Sequence, residues 1–177
     1  MQYTATYQSP LGGILLAADE IGLTGLWFEG EKFYACSLDP EHEERVVPVF
    51  DVVKKWLDIY FSGREPDFMP PIHLIGSEFR QQVWKILREI PYGETITYGA
   101  LAERIARERG LKRMSAQAVG GAVGHNEISI IVPCHRVVGS DGSLTGYAGG
   151  VDRKKKLLTL EGVDMENFYV PTRGTAL

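Results

Sequence analysis

The stretch "REPDFMPP", Arg64 to Pro71, holds three prolines in eight residues. Proline pins φ and has no amide donor, so neither a helix nor a central strand can run through such a segment. Elements before it must end and elements after it must start anew. The two sides also differ in charge. Residues 1–76 carry 5 Lys+Arg against 12 Asp+Glu, a net of −7, and residues 77–177 carry 14 against 11, a net of +3. A charge split at a proline-rich break predicts two domains with different partners. We place them at 1–76, which includes the linker, and 77–165, with a flexible tail over 166–177. The 177 residues suffice for one sizeable core or two small ones.

Before the break, "YTATY" alternates, "SPLGG" is a turn cluster, "ILLAA" is a short buried run, "DEIG" turns again and "LTGLWF" follows. This reads as a three-stranded antiparallel meander. "EGEKFYACSLDPEHEE" is acidic and reads as a loop. Apolar residues at Val49, Val52, Val53, Trp56, Leu57, Tyr60 and Phe61 keep helical spacing up to Gly63, a C-cap. A small antiparallel sheet with one helix makes this an α/β domain.

After the break the pattern is mainly α. Ser77, Thr97 and Ser115 each precede a helical stretch and predict N-caps. The first stretch carries Phe79, Val83, Ile86, Leu87 and Ile90 on one stripe and stops at Pro91. The second runs from about Tyr98 to Arg109, ending at Gly110, and the third is "AQAVGGAVG". Two short helices joined by "LKRM" suggest a helix-turn-helix. The small residues of the third permit either close packing inside the domain or close approach to a partner. "ISIIVP" reads as a buried strand delivering Cys134, "GSDGSLTGYAGG" as a hairpin-like loop, and Val151 to Glu161 as a last helix capped by Gly162. The basic run "RKKKLL" reads as a solvated face.

No run reaches the roughly 18 apolar residues that a membrane helix needs. The N-terminus, "MQYTATYQSP", lacks the basic start and apolar core of a signal peptide. Only Cys36 and Cys134 are cysteines, too few for a disulfide framework or a cysteine-rich zinc site, and the four histidines lack metal-ligand spacing. These features predict a cytoplasmic chain with no membrane partner and no metal.

Cys134 stands in "IVPCHRVVG", with a histidine directly after it. A thiol becomes a strong nucleophile when a base, a cation or a helix N-terminus favours its thiolate. His135 is the candidate base, and a turn after Pro133 would bring both side chains to one side. A histidine needs a third group to set its tautomer, and Glu161 in "LLTLEG" is the candidate. A lone cysteine in an apolar run also reads as a small core residue, and Cys36 is left in that class.

"IVPCHRVVG" with "TGYAGG" and "LLTLEG" resembles the O6-alkylguanine-DNA alkyltransferases, also called methylated-DNA–protein-cysteine methyltransferases. The likeness continues through "PYGETITYGALA", "AVGGAVGHN" and "SEFRQQVWKIL" and covers about residues 77–165; the first 76 residues match in pattern. The resemblance implies a ribonuclease-H-like N-terminal domain of structural role and a winged-helix-like catalytic domain. It implies repair of double-stranded DNA containing O6-alkylguanine by a monomer without a cofactor, the alkyl group moving to Cys134 in one stoichiometric turnover. His135 would act as base through a water and Glu161 would orient it. Asn126 would brace the hinge before the active-site strand; by itself it reads as a helix-ending residue. Tyr98 would give a proton towards guanine N3; by itself it reads as a half-buried aromatic. Tyr147, with Gly146 and Ala148 beside it, would wall the base pocket. The carbonyls of Cys134 and Val137 would accept from the guanine amino group, and Arg136 would be structural.

A paired guanine hides its O6 in the stack, so the base must be flipped out. The resemblance puts the second helix of the helix-turn-helix in the minor groove. Ser115, Ala116, Gln117, Ala118, Gly120 and Gly121 would then meet DNA, with Lys112 and Arg113 on phosphates. Two positions depart from the family pattern. Gln117 stands where an arginine usually fills the gap left by the flipped base, which predicts weaker or more salt-sensitive flipping. Glu127 stands where a proline often follows the asparagine. Three other readings are weighed. A lesion-binding relative without transfer would lack the acceptor cysteine. A cysteine hydrolase would need an oxyanion hole and turnover. A methyl-responsive regulator would carry an additional cysteine-rich region.

Overall fold

The structure is a computed structural model and describes residues 1–171. It divides into two compact units. One is Met1–Ile75 with Glu127–Ser129; the other is Gly76–Asn126 with the chain from Ile130 onward.

In the first unit, β1 (Gln2–Ser9), β2 (Gly12–Ala18) and β3 (Leu23–Phe28) form the expected antiparallel meander. Asp19 closes the β2–β3 turn, its carboxylate accepting from the Ile21 and Gly22 amides. A fourth strand, β4 (His42–Glu44), pairs parallel with β1, giving the order β3-β2-β1-β4. The acidic stretch read as a loop therefore holds a strand; all three residues are exposed, so no apolar alternation betrays it. Helix α1 (Pro48–Phe61) starts with proline in its first turn and packs on β1 and β2 through Phe50, Val53, Leu57 and Tyr60. Each such buried side chain contributes on the order of 1.5–3 kcal/mol. The ring of Trp27 lies where a side chain at Gly25 would stand, so that strand position must be glycine.

In the second unit, α2 (Glu78–Leu87), α3 (Tyr98–Glu108) and α4 (Ala116–Gly124) begin where the hydroxyl residues predict. Ser77, Thr97 and Ser115 accept from the backbone of Arg80, Ala100 and Ala118 at 3.1–3.2 Å. Helices α2 and α3 pack on α4, and Trp84 is sealed between helices with its indole donating to Ala122 O. Two short strands, β5 (Ile96–Thr97) and β6 (Val137–Val138), pair in parallel. Helix α5 (Val151–Leu160) follows the glycine-rich loop.

The strand expected over "ISIIVP" does not form. Ile128 makes one bridge to Leu26, and Ile130 turns the chain with a φ of 71°. A short apolar run signals burial rather than extension, and here the chain coils to reach a single 3-10 turn over Cys134–Arg136. Beyond Glu166, Tyr169 pairs with Ser143; the rest of the expected tail, 172–177, lies outside the described residues. Among the described residues, no helix is long and apolar enough to cross a membrane.

Candidate active site and nucleic-acid interface

The 3-10 turn sets Cys134, His135 and Arg136 on consecutive buried positions. A strand would have sent Cys134 and His135 to opposite faces; the 3-10 turn removes that alternation. Cys134 is 4% exposed. The Asn126 amide holds the turn in place, Nδ2 donating to Val132 O at 2.7 Å and lying 3.1 Å from Cys134 Sγ. One side chain thus ties the end of α4 to the sulfur.

His135 is fully buried, and its Nε2 lies 2.5 Å from Glu161 Oε2. The other carboxylate oxygen accepts from Arg136 Nε at 2.8 Å and from the Gly93 amide at 3.1 Å. Arg136 also donates to Ile90 O. Burial pushes the His135 imidazole down, and Arg136 and Lys154 push the same way, against the pull of Glu161. Burial alone would raise the Glu161 carboxyl, but His135 and Arg136 hold it well below the usual carboxylate range. The pair is therefore a neutral imidazole on an ionised carboxylate. Nε2–H faces Glu161, which leaves the basic lone pair on Nδ1, an atom that is buried and makes no hydrogen bond within the described residues.

Lys154 corrects the reading of "RKKKLL" as a solvated face. It is fully buried and donates to Val137 O and, at 2.7 Å, to Thr145 O. Burial lowers its ammonium from 10.5 to about 8, with the charge of Cys134 opposing. The signal lay in helical register: Val151, Lys154, Leu158 and Glu161 fall at i, i+3, i+7 and i+10 on one face. Thr145 O also accepts from Tyr98 OH at 3.1 Å. Burial first, then the charge of Cys134, raises the Tyr98 phenol far above its ordinary value, so the phenol keeps its proton.

Tyr147 is buried, its ring edge-on to His135 with centroids 6.4 Å apart. Gly146 is exposed with a φ of 78°, and a Cβ there would stand 2.3 Å from Tyr98 OH. Ala148 is half-buried. Val137 O and Cys134 O already accept, from Lys154 and from the Val137 amide respectively; each carbonyl has a second lone pair for another donor. Cys134, His135, Glu161, Asn126, Tyr98, Tyr147, Gly146 and Val137 are thus brought into one neighbourhood. Among the described residues, no group of three His, Cys, Asp or Glu side chains is placed to hold a metal.

The remaining expected residues lie on α4 and the turn before it. Ser115, Ala116, Gln117, Ala118 and Gly121 are exposed, as are Lys112 and Arg113, and Gly120 is half-buried. A Cβ built at Gly120, Gly121 or Gly124 meets nothing within 4 Å. Packing inside the unit therefore does not demand their small size. Arg107, Lys112 and Arg113 line the open groove between α3 and α4.

Residues 78–163 match the family model described as 6-O-methylguanine DNA methyltransferase, DNA binding domain, and residues 2–74 match its ribonuclease-like domain. The chain is 42% identical to the methylated-DNA–protein-cysteine methyltransferase of Haemophilus influenzae over 163 residues, 91% of this chain and 87% of the relative. It is 44% identical to the protein of the same name from Methanosarcina acetivorans over 161 residues, 90% and 98% of the two chains. Among solved structures, Mycobacterium tuberculosis OGT in complex with DNA superposes with a TM-score of 0.77 at 41% identity, covering 90% of this chain and 92% of that one.

Proposed function

The chain belongs to the 6-O-methylguanine DNA methyltransferase family, and from that premise we propose that it repairs DNA by taking the alkyl group of O6-alkylguanine onto its own Cys134 in a single turnover. The observation that carries this reading is the buried His135–Glu161 pair, whose histidine stands in the same 3-10 turn that holds Cys134. His135 is held neutral on Glu161 with its basic Nδ1 met by no donor among the described residues, and Asn126 holds the thiol turn.

The thiol proton passes through a water to His135 Nδ1, and Glu161 stabilises the imidazolium that forms. The thiolate attacks the alkyl carbon in line. An S–C bond forms, the C–O6 bond breaks, and the electron pair returns to the purine. Tyr98, kept protonated, turns its O–H from Thr145 O to N3 and stabilises the charge that develops there, and the proton taken up by His135 is returned through water so that guanine leaves neutral. Lys154 ties Val137 O and Thr145 O together and puts a positive charge near the sulfur. Arg136 offsets the Glu161 charge, which keeps His135 from being protonated in advance. The product is a thioether, which no group in this site can cleave.

The base reaches the site by flipping out of duplex DNA. The exposed first turn of α4 and the open space over Gly120 and Gly121 support close approach of that helix to the minor groove. Lys112 and Arg113 take phosphates. Ser115, Ala116 and Ala118 lie along the backbone, and Gln117 faces the orphaned partner base. The place of action is the cytoplasm, where a thiol of this kind stays reduced.

Intact-mass measurement after mixing with a duplex carrying O6-methylguanine tests the reading. One methyl group per molecule is expected, mapped to Cys134, and none in Cys134→Ser. Repeated turnover, or repaired DNA with unmodified protein, would overturn it.

A further inference from the structure

Residues 164–170 lie beyond both family-model matches, yet they are tied to the glycine-rich loop. The Leu144 amide donates to Tyr169 O at 2.9 Å, and the Tyr169 amide donates to Gly142 O at 3.0 Å, so Tyr169 bridges Ser143 in parallel. The Tyr169 phenol donates to Asp141 Oδ2 at 2.6 Å. Phe168 packs on the cluster of Val138, Leu144 and Leu158. The approach is close: at Gly142, with a φ of 89°, a Cβ would stand 2.3 Å from Asn167 O.

The held residue, Leu144, precedes Thr145, whose carbonyl serves both Tyr98 and Lys154. Gly146 and Tyr147 follow. We propose that residues 167–170 form a strap, and that Tyr169 is a positioning residue holding the Asp141–Tyr147 loop in its base-binding conformation. This rests on the reading of Gly146 and Tyr147 as the wall of the base pocket. The physical reason is entropy. The loop is rich in glycine, and a free loop of this kind loses much conformational freedom when it closes on a ligand. A strap that orders the loop in advance removes that loss from the binding step. It therefore acts on saturation rather than on the alkyl-transfer step itself.

The test is single-turnover reaction of the full chain with free O6-benzylguanine across a concentration series, alongside hydrogen exchange of the Leu144 amide. Tyr169→Phe removes only the phenol bond and should raise the half-saturating concentration about threefold. Phe168→Ala combined with Tyr169→Phe should raise it about tenfold, with the limiting rate kept within about twofold. Asp141→Asn keeps an acceptor for the phenol and should stay near wild type. Leu144 exchange should quicken in the same order. Unchanged half-saturation in Tyr169→Phe and the double variant, or an effect confined to the limiting rate, would overturn the strap. If the wild-type chain transfers no alkyl group, the proposed function fails separately; Leu144 exchange then still decides, and unchanged exchange in the double variant overturns the strap.

Discussion

His135 and Glu161 meet at 2.5 Å with neither side chain reached by solvent. Arg136 occupies the second carboxylate oxygen, so the contact is one arm of a buried triad rather than an isolated ion pair. The proposed proton relay and the stability of the second unit therefore depend on the same atoms.

That coupling predicts an acid limit. Burial holds His135 below its ordinary 6.5 in the folded protein, and the bonds from His135 and Arg136 hold Glu161 below its ordinary 4.5. Both groups bind protons more readily in the unfolded chain, so stability is intact above the unfolded values and is lost as pH falls. The urea midpoint should drop as pH falls through 6.5 and drop further through 4.5. Glu161→Gln should remove the lower step and slow alkyl transfer about a hundredfold. A midpoint constant across this range contradicts the buried neutral-imidazole assignment.

Lys154 predicts an alkaline limit on the chemistry. Its ammonium is lowered to about 8, so its charge and one of its donor protons are lost as pH rises past that value. Alkyl transfer should slow above about pH 8 in the wild type. Lys154→Met should be slower by about tenfold at neutral pH, because Val137 O and Thr145 O lose a shared donor, and its profile should be flat on the alkaline side. A Lys154→Met protein that keeps the alkaline fall would show that another group titrates.

A substitution at Gly121 should separate folding from the proposed DNA engagement. The glycine is exposed, and a Cβ there would meet no atom outside its own helix turn within 4 Å among the described residues, so Gly121→Leu should leave the melting temperature unchanged or raised, glycine being about 1 kcal/mol less favourable than alanine in a helix. Duplex repair should fall about tenfold or more, on the scale of one lost specific contact. Reaction with free O6-benzylguanine should be unaffected. Equal losses on both substrates would mean that α4 serves the site rather than the groove.

Gln117 lies in the exposed first turn of α4. Gln117→Arg should speed repair of duplex several-fold, within the roughly 1–2 kcal/mol open to a new charged contact, and leave the free base unchanged. It should also lessen the sensitivity to added salt. The measurement is the ratio of the two second-order rate constants; an unaltered ratio would remove the base-flipping role assigned to position 117.

Much of the architecture was readable along the chain. The meander, α1 and the three capped helices follow from alternation, helical spacing and hydroxyl residues before each start, all of which are local effects. The site motif was readable too, because "PCHR" and the glutamate of "LLTLEG" are distinctive residue types at separated positions. Where expectation failed, burial had been mistaken for conformation. "ISIIVP" is apolar because it is enclosed, and it coils through Ile130 rather than extending. Exposed β4 had no pattern to show.

By itself the sequence determined the meander, α1, the capped helices and the residue types available for chemistry, because backbone propensity and side-chain reactivity are properties of neighbours along the chain. Only the tertiary structure decided their states. It made Lys154 a buried donor instead of a surface charge, gave Glu161 three partners from two separate segments, and tied Tyr169 to the loop beside Tyr98. Burial and long-range hydrogen bonds set protonation and order, and both depend on residues that meet only when the chain has closed on itself.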